Sequence, residues 1–266
     1  MRELMAWELQ ESWAFPILEL ILAVTIIQVL PFFIMSRGDS DIVSSISDPF
    51  WTSMVFVFAI CAAVVFGRSF GESIEKRKMV VLLEYPVSRF QVFAAKFLAN
   101  LLGGLCVFGF ALLVEGLLAW MFEPSVDWAF YNVWYANYSL APAIWAFMFL
   151  SLLLVVFFTS SLMSFLALAT KRFGLSVLVF LVYIFGLEYW TGTLGNNVPG
   201  YYLSLARGPH ALVNYLWTFY YKAAGLGSAR TEVTWPLFLT ALCYLLVGGL
   251  VLLCVSLVLI WRMDLD

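Results

Sequence analysis

The sequence predicts an all-α membrane protein with six transmembrane helices. Hydrophobic residues make up 64% of the 266-residue chain and charged residues only 12%, whereas soluble domains average about 45–50% and about 25%. The mean hydropathy of +0.96 agrees with lipid as the main solvent. This composition excludes soluble, disordered, fibrous and disulfide-rich secreted proteins. The net charge of −3 gives no basic surface for nucleic acid, so we expect the lipid bilayer as a partner and no nucleic acid.

Six apolar runs come close to or exceed the roughly 20 residues that a helix needs to cross a bilayer. A further segment, residues 191–235, is too long for a simple turn and contains a second apolar stretch at residues 210–221. About a dozen apolar residues suit a re-entrant or interfacial helix better than a crossing. The predicted spans are residues 14–35, 50–67, 92–122, 142–170, 173–189 and 236–261.

The distribution of lysine and arginine predicts the orientation of these spans. If both termini are cytoplasmic, ten of the fourteen basic residues face the inside, as the positive-inside rule requires. Tryptophans and tyrosines then gather at the predicted outer ends, where amphipathic rings prefer to lie. We therefore expect both termini to be cytoplasmic.

No catalytic motif points to an enzyme. The chain has no GxxxxGK[ST] loop, no HExxH pair and no GxSxG elbow. His210 is the only histidine, and the four cysteines all lie within apolar runs without CxxC spacing, so structural zinc and a disulfide framework are not expected. We predict no catalytic residue, metal or cofactor in this chain, and an energy source in a partner protein or an ion gradient.

Polar residues within the spans are the candidates for a substrate path. Four hydroxyls cluster in the inner half of the fourth span, and acids lie near the ends of the third and fifth spans. Hydroxyls at such positions commonly bond to their own backbone or hold helices together, and acids near span ends commonly lie in the interface. A substrate path and a purely structural or interfacial role both stay open for these residues. The hydroxyl cluster is Thr159, Ser160, Ser161 and Ser164, and the candidate path residues are Thr159, Ser160, Ser164, Glu115 and Glu188.

The most highly charged part of the chain is the loop at residues 71–91, between the second and third spans. Glu72 and Lys76 have the spacing of an ion pair on a helix surface. Pro86 ends a helix, and Ser88 with Gln91 three residues later is a capping box that starts the next one. The sequence therefore predicts a helix, a break and a second helix. At the start of the loop, Gly67 and Gly71 form a GxxxG pair. Three glycines of the third span, Gly103, Gly104 and Gly109, also favour close helix approach.

This loop resembles that of ABC type-2 exporter permeases, which reads roughly E-x-E-x-G-T-L-E-x-L-L-x-x-P-V-S-R followed by a lysine. Here Glu75, Leu82-Leu83, the run Pro86-Val87-Ser88-Arg89 and then Lys96 carry the likeness, while Arg77-Lys78 replaces the family's Gly-Thr. The resemblance implies that the loop forms a coupling helix that binds a separate ATP-binding subunit. The candidate coupling residues are Glu72, Glu75, Arg77, Leu82, Leu83, Pro86, Ser88 and Arg89.

The resemblance covers the whole chain as a single permease domain. It implies an amphipathic elbow helix at residues 1–13, the six spans, the outer re-entrant segment and a short tail. It further implies a cytoplasmic ATP-binding subunit that holds ATP and magnesium, a second permease subunit, and location in the plasma membrane. Because no acid is expected at the membrane midplane, an amphipathic or apolar cargo such as a lipid, a hydrophobic peptide or a drug is favoured. The alternatives are a gradient-driven secondary transporter and an intramembrane enzyme.

Overall fold

Four long apolar helices form a bundle. They are α1 (Arg89–Phe122), α2 (Ala141–Thr170), α3 (Phe173–Gly192) and a last helix composed of α4 (Trp235–Leu242), a π-helical turn (Cys243–Val247) and α5 (Gly248–Arg262). The computed structural model describes residues 59, 61–76, 87–122, 141–194, 198–205, 207, 208, 212, 215 and 233–262, together with residues 3, 6, 7, 10, 19, 22 and 26; of residues 108, 111–122 and 141–148 only the backbone is described.

Each of the four helices is long and apolar enough to cross a membrane. Their ends agree within about three residues with the third to sixth predicted spans, because a continuous apolar run of this length marks a membrane helix. No strand occurs in the part of the chain given above. The described part of the chain is therefore all-α, and its four long helices fit a multi-pass membrane protein.

The second predicted span is described only in its last part. Residues 61–67 are helical and continue directly into a π-helix at Arg68–Glu72 and a short helix at Ser73–Glu75. We call residues 61–76 the junction segment. Of the first span only residues 19, 22 and 26 are described, and they are helical. In the predicted elbow at residues 1–13, residues 3, 6 and 7 are α-helical and residue 10 is π-helical, and the other residues lie outside the described part. The described part of the 191–235 segment includes a 3₁₀ helix at Pro199–Tyr202, whereas the predicted re-entrant stretch at 210–221 lies outside it except for residues 212 and 215.

Helix α2 lies at the centre of the bundle and is mostly enclosed, whereas α3 and the last helix expose most of their surface. The exposed side chains are apolar, for example Val182 and Val251, as expected where a helix faces lipid. The last helix approaches α2 closely because it has glycines at the contact. A β-carbon at Gly249 would lie 2.6 Å from the ring of Phe157.

The two ends of the bundle differ in chemistry. At one end the start of α1, the α2–α3 turn and the end of α5 meet the junction segment, and we call this the charged end. Its ionisable residues include Glu72, Glu75, Lys76, Arg89, Lys171, Arg172 and Arg262. At the opposite end, the aromatic end, rings gather around the end of α3 and the start of α4, including Trp190, Tyr201, Tyr202, Tyr215 and Trp235.

Candidate functional site

The loop's C-terminal end is fixed by the predicted capping box. The Ser88 N–H donates to Gln91 Oε1 at 2.9 Å, and the Gln91 N–H donates to Ser88 Oγ at 3.2 Å. Val87 packs against the apolar cluster that contains the buried Val92, where a hydrophobic staple places it. The start of α1 predicted from the sequence is therefore confirmed, and it holds Arg89 in the first turn.

Arg89 binds the end of a different helix. Its Nη1 donates to the backbone oxygen of Trp261 at 3.2 Å, although the two residues are 172 positions apart. The last carbonyls of a helix have no partner within the helix, and the helix dipole makes this end negative. A guanidinium supplies both a hydrogen-bond donor for the unpaired carbonyl and a positive charge for the negative helix end. The contact therefore ties the loop to the end of α5.

Glu75 binds the start of α3. Its Oε2 accepts a hydrogen bond from the Phe173 N–H at 3.1 Å. The residue before this helix, Arg172, makes no side-chain cap, so one of the unpaired N–H groups of the first turn would otherwise lack an acceptor. A carboxylate is also favoured at the positive N-terminal end of a helix. The N-terminal end of the loop is thus tied to α3.

Close backbone packing supports this contact. A β-carbon at Gly71 would lie 2.9 Å from Phe173 Cα, and one at Gly67 would lie 2.9 Å from the Met163 side chain. The GxxxG pair therefore does let the junction segment approach α2 and α3 closely, as predicted. At Gly109 no atom lies within 4 Å of a built β-carbon, so the close approach expected there is not found among the described atoms.

The turn between α2 and α3 is conformationally strained. Lys171 has φ of 55°, the left-handed region that non-glycine residues rarely adopt. Its N–H donates to the Ala167 carbonyl at 2.9 Å, and Thr170 Oγ1 accepts from the Arg172 N–H at 3.4 Å. These bonds hold the strained turn, which places the Phe173 N–H in front of Glu75.

Lys96 is enclosed by protein. The residue is only 2% exposed, between α1 and the junction segment. Its Nζ donates to the Ser69 carbonyl at 3.1 Å and to Ser73 Oγ at 3.0 Å. The ring of Trp7 has its centre 6.0 Å from the ammonium. Lys96 therefore links α1, the π-helix and the start of the chain, because a buried ammonium must keep its hydrogen bonds.

Glu72 makes contacts within its own segment. It pairs with Arg68 at 2.8 Å and with Lys76, as the i,i+4 spacing predicts. The hydrogen bond from Lys76, aided by that from Arg68, holds the pKa of Glu72 below its usual range. Glu72 lies close to Glu75, but its ion pairs stay within the junction segment. A variant of Glu72 is therefore a matched control for the same variant of Glu75.

The remaining predicted site residues fall into two groups. Arg77, Leu82, Leu83 and Pro86, and with them the predicted break at Pro86, lie outside the described residues, as does the side chain of Glu115. Glu188 is half-buried near the aromatic end, and Thr159, Ser160 and Ser164 are buried in the middle of α2, away from the loop. The structure therefore places Glu72, Glu75, Ser88 and Arg89 at the charged end and the described path residues away from it.

Three features of the charged end were not predicted from the sequence. They are the Phe173 N–H as partner of Glu75, the Trp261 carbonyl as partner of Arg89, and the burial of Lys96. One signal was available for the first. Phe173 follows Lys171-Arg172, and neither is a side chain that caps a helix N-terminus well. A long apolar helix that begins without a local cap indicates an acceptor from elsewhere in the fold.

Comparisons with known proteins add no relative. No family model matches the chain, and no curated protein matches it either. The geometry of the charged end is therefore what supports a functional conclusion.

Proposed function

We propose that this chain is the membrane subunit of an ATP-driven ABC exporter, as its likeness to type-2 permeases implies. One observation carries the proposal. The two ends of one charged loop bind the ends of two different apolar helices, Glu75 at the start of α3 and Arg89 at the end of α5. A plain connecting loop needs neither contact, whereas a loop that transmits force to the membrane helices needs both.

The two contacts divide the loop into parts with different tasks. Glu75 and Arg89 face helix ends, so their role is transmission rather than recognition of the partner. Binding of the ATP-binding subunit then falls to the residues between them, Arg77, Leu82, Leu83 and Pro86. Closure of that subunit on ATP would move the loop, and the loop would carry α3 and α5 with it.

The rest of the assembly follows from the resemblance. ATP and magnesium belong to the partner subunit, and this chain hydrolyses nothing itself. Two permease subunits pair in the plasma membrane, with both termini and the charged end on the cytoplasmic side. The concentration of basic residues at the charged end supports that orientation.

The cargo is an amphipathic or apolar molecule, such as a lipid, a hydrophobic peptide or a drug. The four long helices are apolar along most of their length. Such a surface suits a cargo that partitions into lipid better than it suits a small ion, which requires compensating charge within the membrane.

The proposal is tested by separating partner binding from transmission. Single variants Glu75→Ala and Arg89→Ala are expected to retain the co-purifying ATP-binding subunit but to change its ATP hydrolysis rate several-fold. Leu83→Arg is expected to lose the subunit. Glu72→Ala, in the same segment, should behave like the unmodified chain, since its ion pairs do not leave the segment. If Glu75→Ala and Arg89→Ala match Glu72→Ala in both measurements, the transmission role is wrong.

A further inference from the structure

The middle of α2 carries three adjacent buried hydroxyls without hydrogen-bond partners. Thr159, Ser160 and Ser161 are each fully enclosed. None of their three hydroxyl oxygens has a partner among the described residues. Buried polar groups in native proteins are nearly always bonded, so three in a row require an explanation.

Two other buried serine hydroxyls of the bundle follow the usual pattern. Ser164 Oγ donates to the Ser160 carbonyl at 2.7 Å, and Ser256 Oγ donates to the Leu252 carbonyl at 2.8 Å. A carbonyl one turn earlier is the standard partner of a hydroxyl within a helix. The three hydroxyls at 159–161 do not make this bond.

The position of these hydroxyls is also unusual. Thr159 lies eleven residues from the end of α2 at Thr170, about 17 Å along a helix that rises 1.5 Å per residue. This is about half of the roughly 30 Å hydrocarbon thickness of a bilayer. Three successive residues spread over about 200° of the helix circumference, so they form a polar band around the most enclosed helix of the bundle.

We propose that Thr159, Ser160 and Ser161 form a binding site for an uncharged hydrogen-bonding ligand, water in the first instance, which is closed in this conformation and fills when the helices around α2 separate. The hydroxyls supply donors and acceptors but no charge, which defines the ligand class. The orphaned hydroxyls make the closed state less stable than an apolar band would. They are explained if a second conformation satisfies them.

The closed state is tested by the thermal stability of the purified chain, which requires no partner. Thr159→Val keeps the side-chain shape and removes the hydroxyl; Ser160→Ala and Ser161→Ala do the same at smaller positions. Each is expected to raise the midpoint of thermal unfolding, by about 2–4 °C. Ser256→Ala is the matched control, since its hydroxyl is buried and bonded, and it should not gain stability. A lower midpoint for Thr159→Val would overturn the proposal, because it would mean that the hydroxyl is already satisfied.

The filling of the site is tested by thiol labelling in native membranes. Cys61, Cys106, Cys243 and Cys254 are first replaced by alanine, and Ser160→Cys is compared with Ser256→Cys, using a small, uncharged, water-soluble methanethiosulfonate reagent. We expect Ser160→Cys to react at least tenfold faster than the control, with a further increase when ATP is supplied.

This ATP dependence rests on the proposed function, whereas the site itself does not. Reaction of Ser160→Cys that is fast but independent of ATP supports the site and contradicts the ATP-driven role. An ATP-binding subunit that co-purifies while Ser160→Cys never reacts faster than Ser256→Cys overturns the site and leaves the proposed function standing.

Discussion

At the scale of single residues, the charged side chains around the loop differ in what they bind. Glu75 and Arg89 each bind a backbone group at a helix end, and Lys96 binds a backbone carbonyl and a hydroxyl. Glu72 binds charged neighbours. Contacts of the first kind join distant parts of the chain, so their loss affects the position of whole helices. The loss of an exposed ion pair affects only its own turn.

The contribution of Glu72 to the free energy of unfolding depends on pH, because the pKa of its carboxyl is lowered in the folded chain. Because the folded-state pKa lies below that of the unfolded chain, the contribution is fully present above the unfolded value, about 4.3, and is lost as the pH falls through the folded value. We expect the unmodified chain to be more stable than Glu72→Gln at neutral pH by about 0.3–0.5 kcal/mol for each exposed pair. Thermal unfolding at neutral pH and at a series of lower pH values measures the difference, which should shrink once the pH falls below the unfolded value. A full difference that persists at every acidic pH contradicts the assignment.

At the scale of the helical elements, close packing of the junction segment against α3 depends on Gly71. A β-carbon there would meet the backbone of Phe173 at 2.9 Å, which cannot move aside as a side chain can. Gly71→Ala should therefore lower the free energy of unfolding by about 1–3 kcal/mol. Gly186→Ala is the control, because that glycine in α3 has open space around it. Gly186→Ala should raise the free energy of unfolding by about 0.5–1 kcal/mol, because alanine lowers the entropy of the unfolded chain. Denaturant unfolding measures both free energies of unfolding. Equal changes for the two substitutions would contradict the close approach of Gly71 to the backbone of Phe173.

The strained turn between α2 and α3 gives a second prediction at this scale. Lys171 has φ of 55°, and a β-carbon in this conformation costs about 1–2 kcal/mol. Lys171→Gly should therefore be more stable than Lys171→Ala by about that amount, since both remove the charge and only glycine removes the β-carbon. Unfolding of the two variants side by side measures the difference. No difference between them would mean that the backbone is not held in this conformation.

At the scale of the whole molecule, the ends of the four long helices could largely be predicted. A continuous apolar run marks a membrane helix by length alone, and the ends of the last four spans agree closely with the described helices. The capping box at Ser88 and the pairing of Glu72 with Lys76 are local rules three or four residues long, so a single sequence contains them in full.

The contacts that give the charged end its proposed role were not predictable in the same way. Glu75 meets Phe173 across 98 positions and Arg89 meets Trp261 across 172 positions. No local pattern specifies which distant helix end a side chain will meet, because that depends on how the helices pack. The π-helical turns at Arg68–Glu72 and Cys243–Val247 were missed because a π turn leaves no clear periodicity in an apolar run.

The proposed function makes its most direct prediction about what accompanies this chain in the membrane. The tagged chain is purified from its own cells in a mild detergent, and ATP hydrolysis by the purified material is measured. We predict a co-purifying ATP-binding subunit with ATPase activity, lost on Leu83→Arg and retained on Glu72→Ala. A chain that purifies alone, without ATPase activity, would contradict the central claim and favour the gradient-driven transporter, for which proton flux through Glu115→Gln and Glu188→Gln variants would be the next comparison.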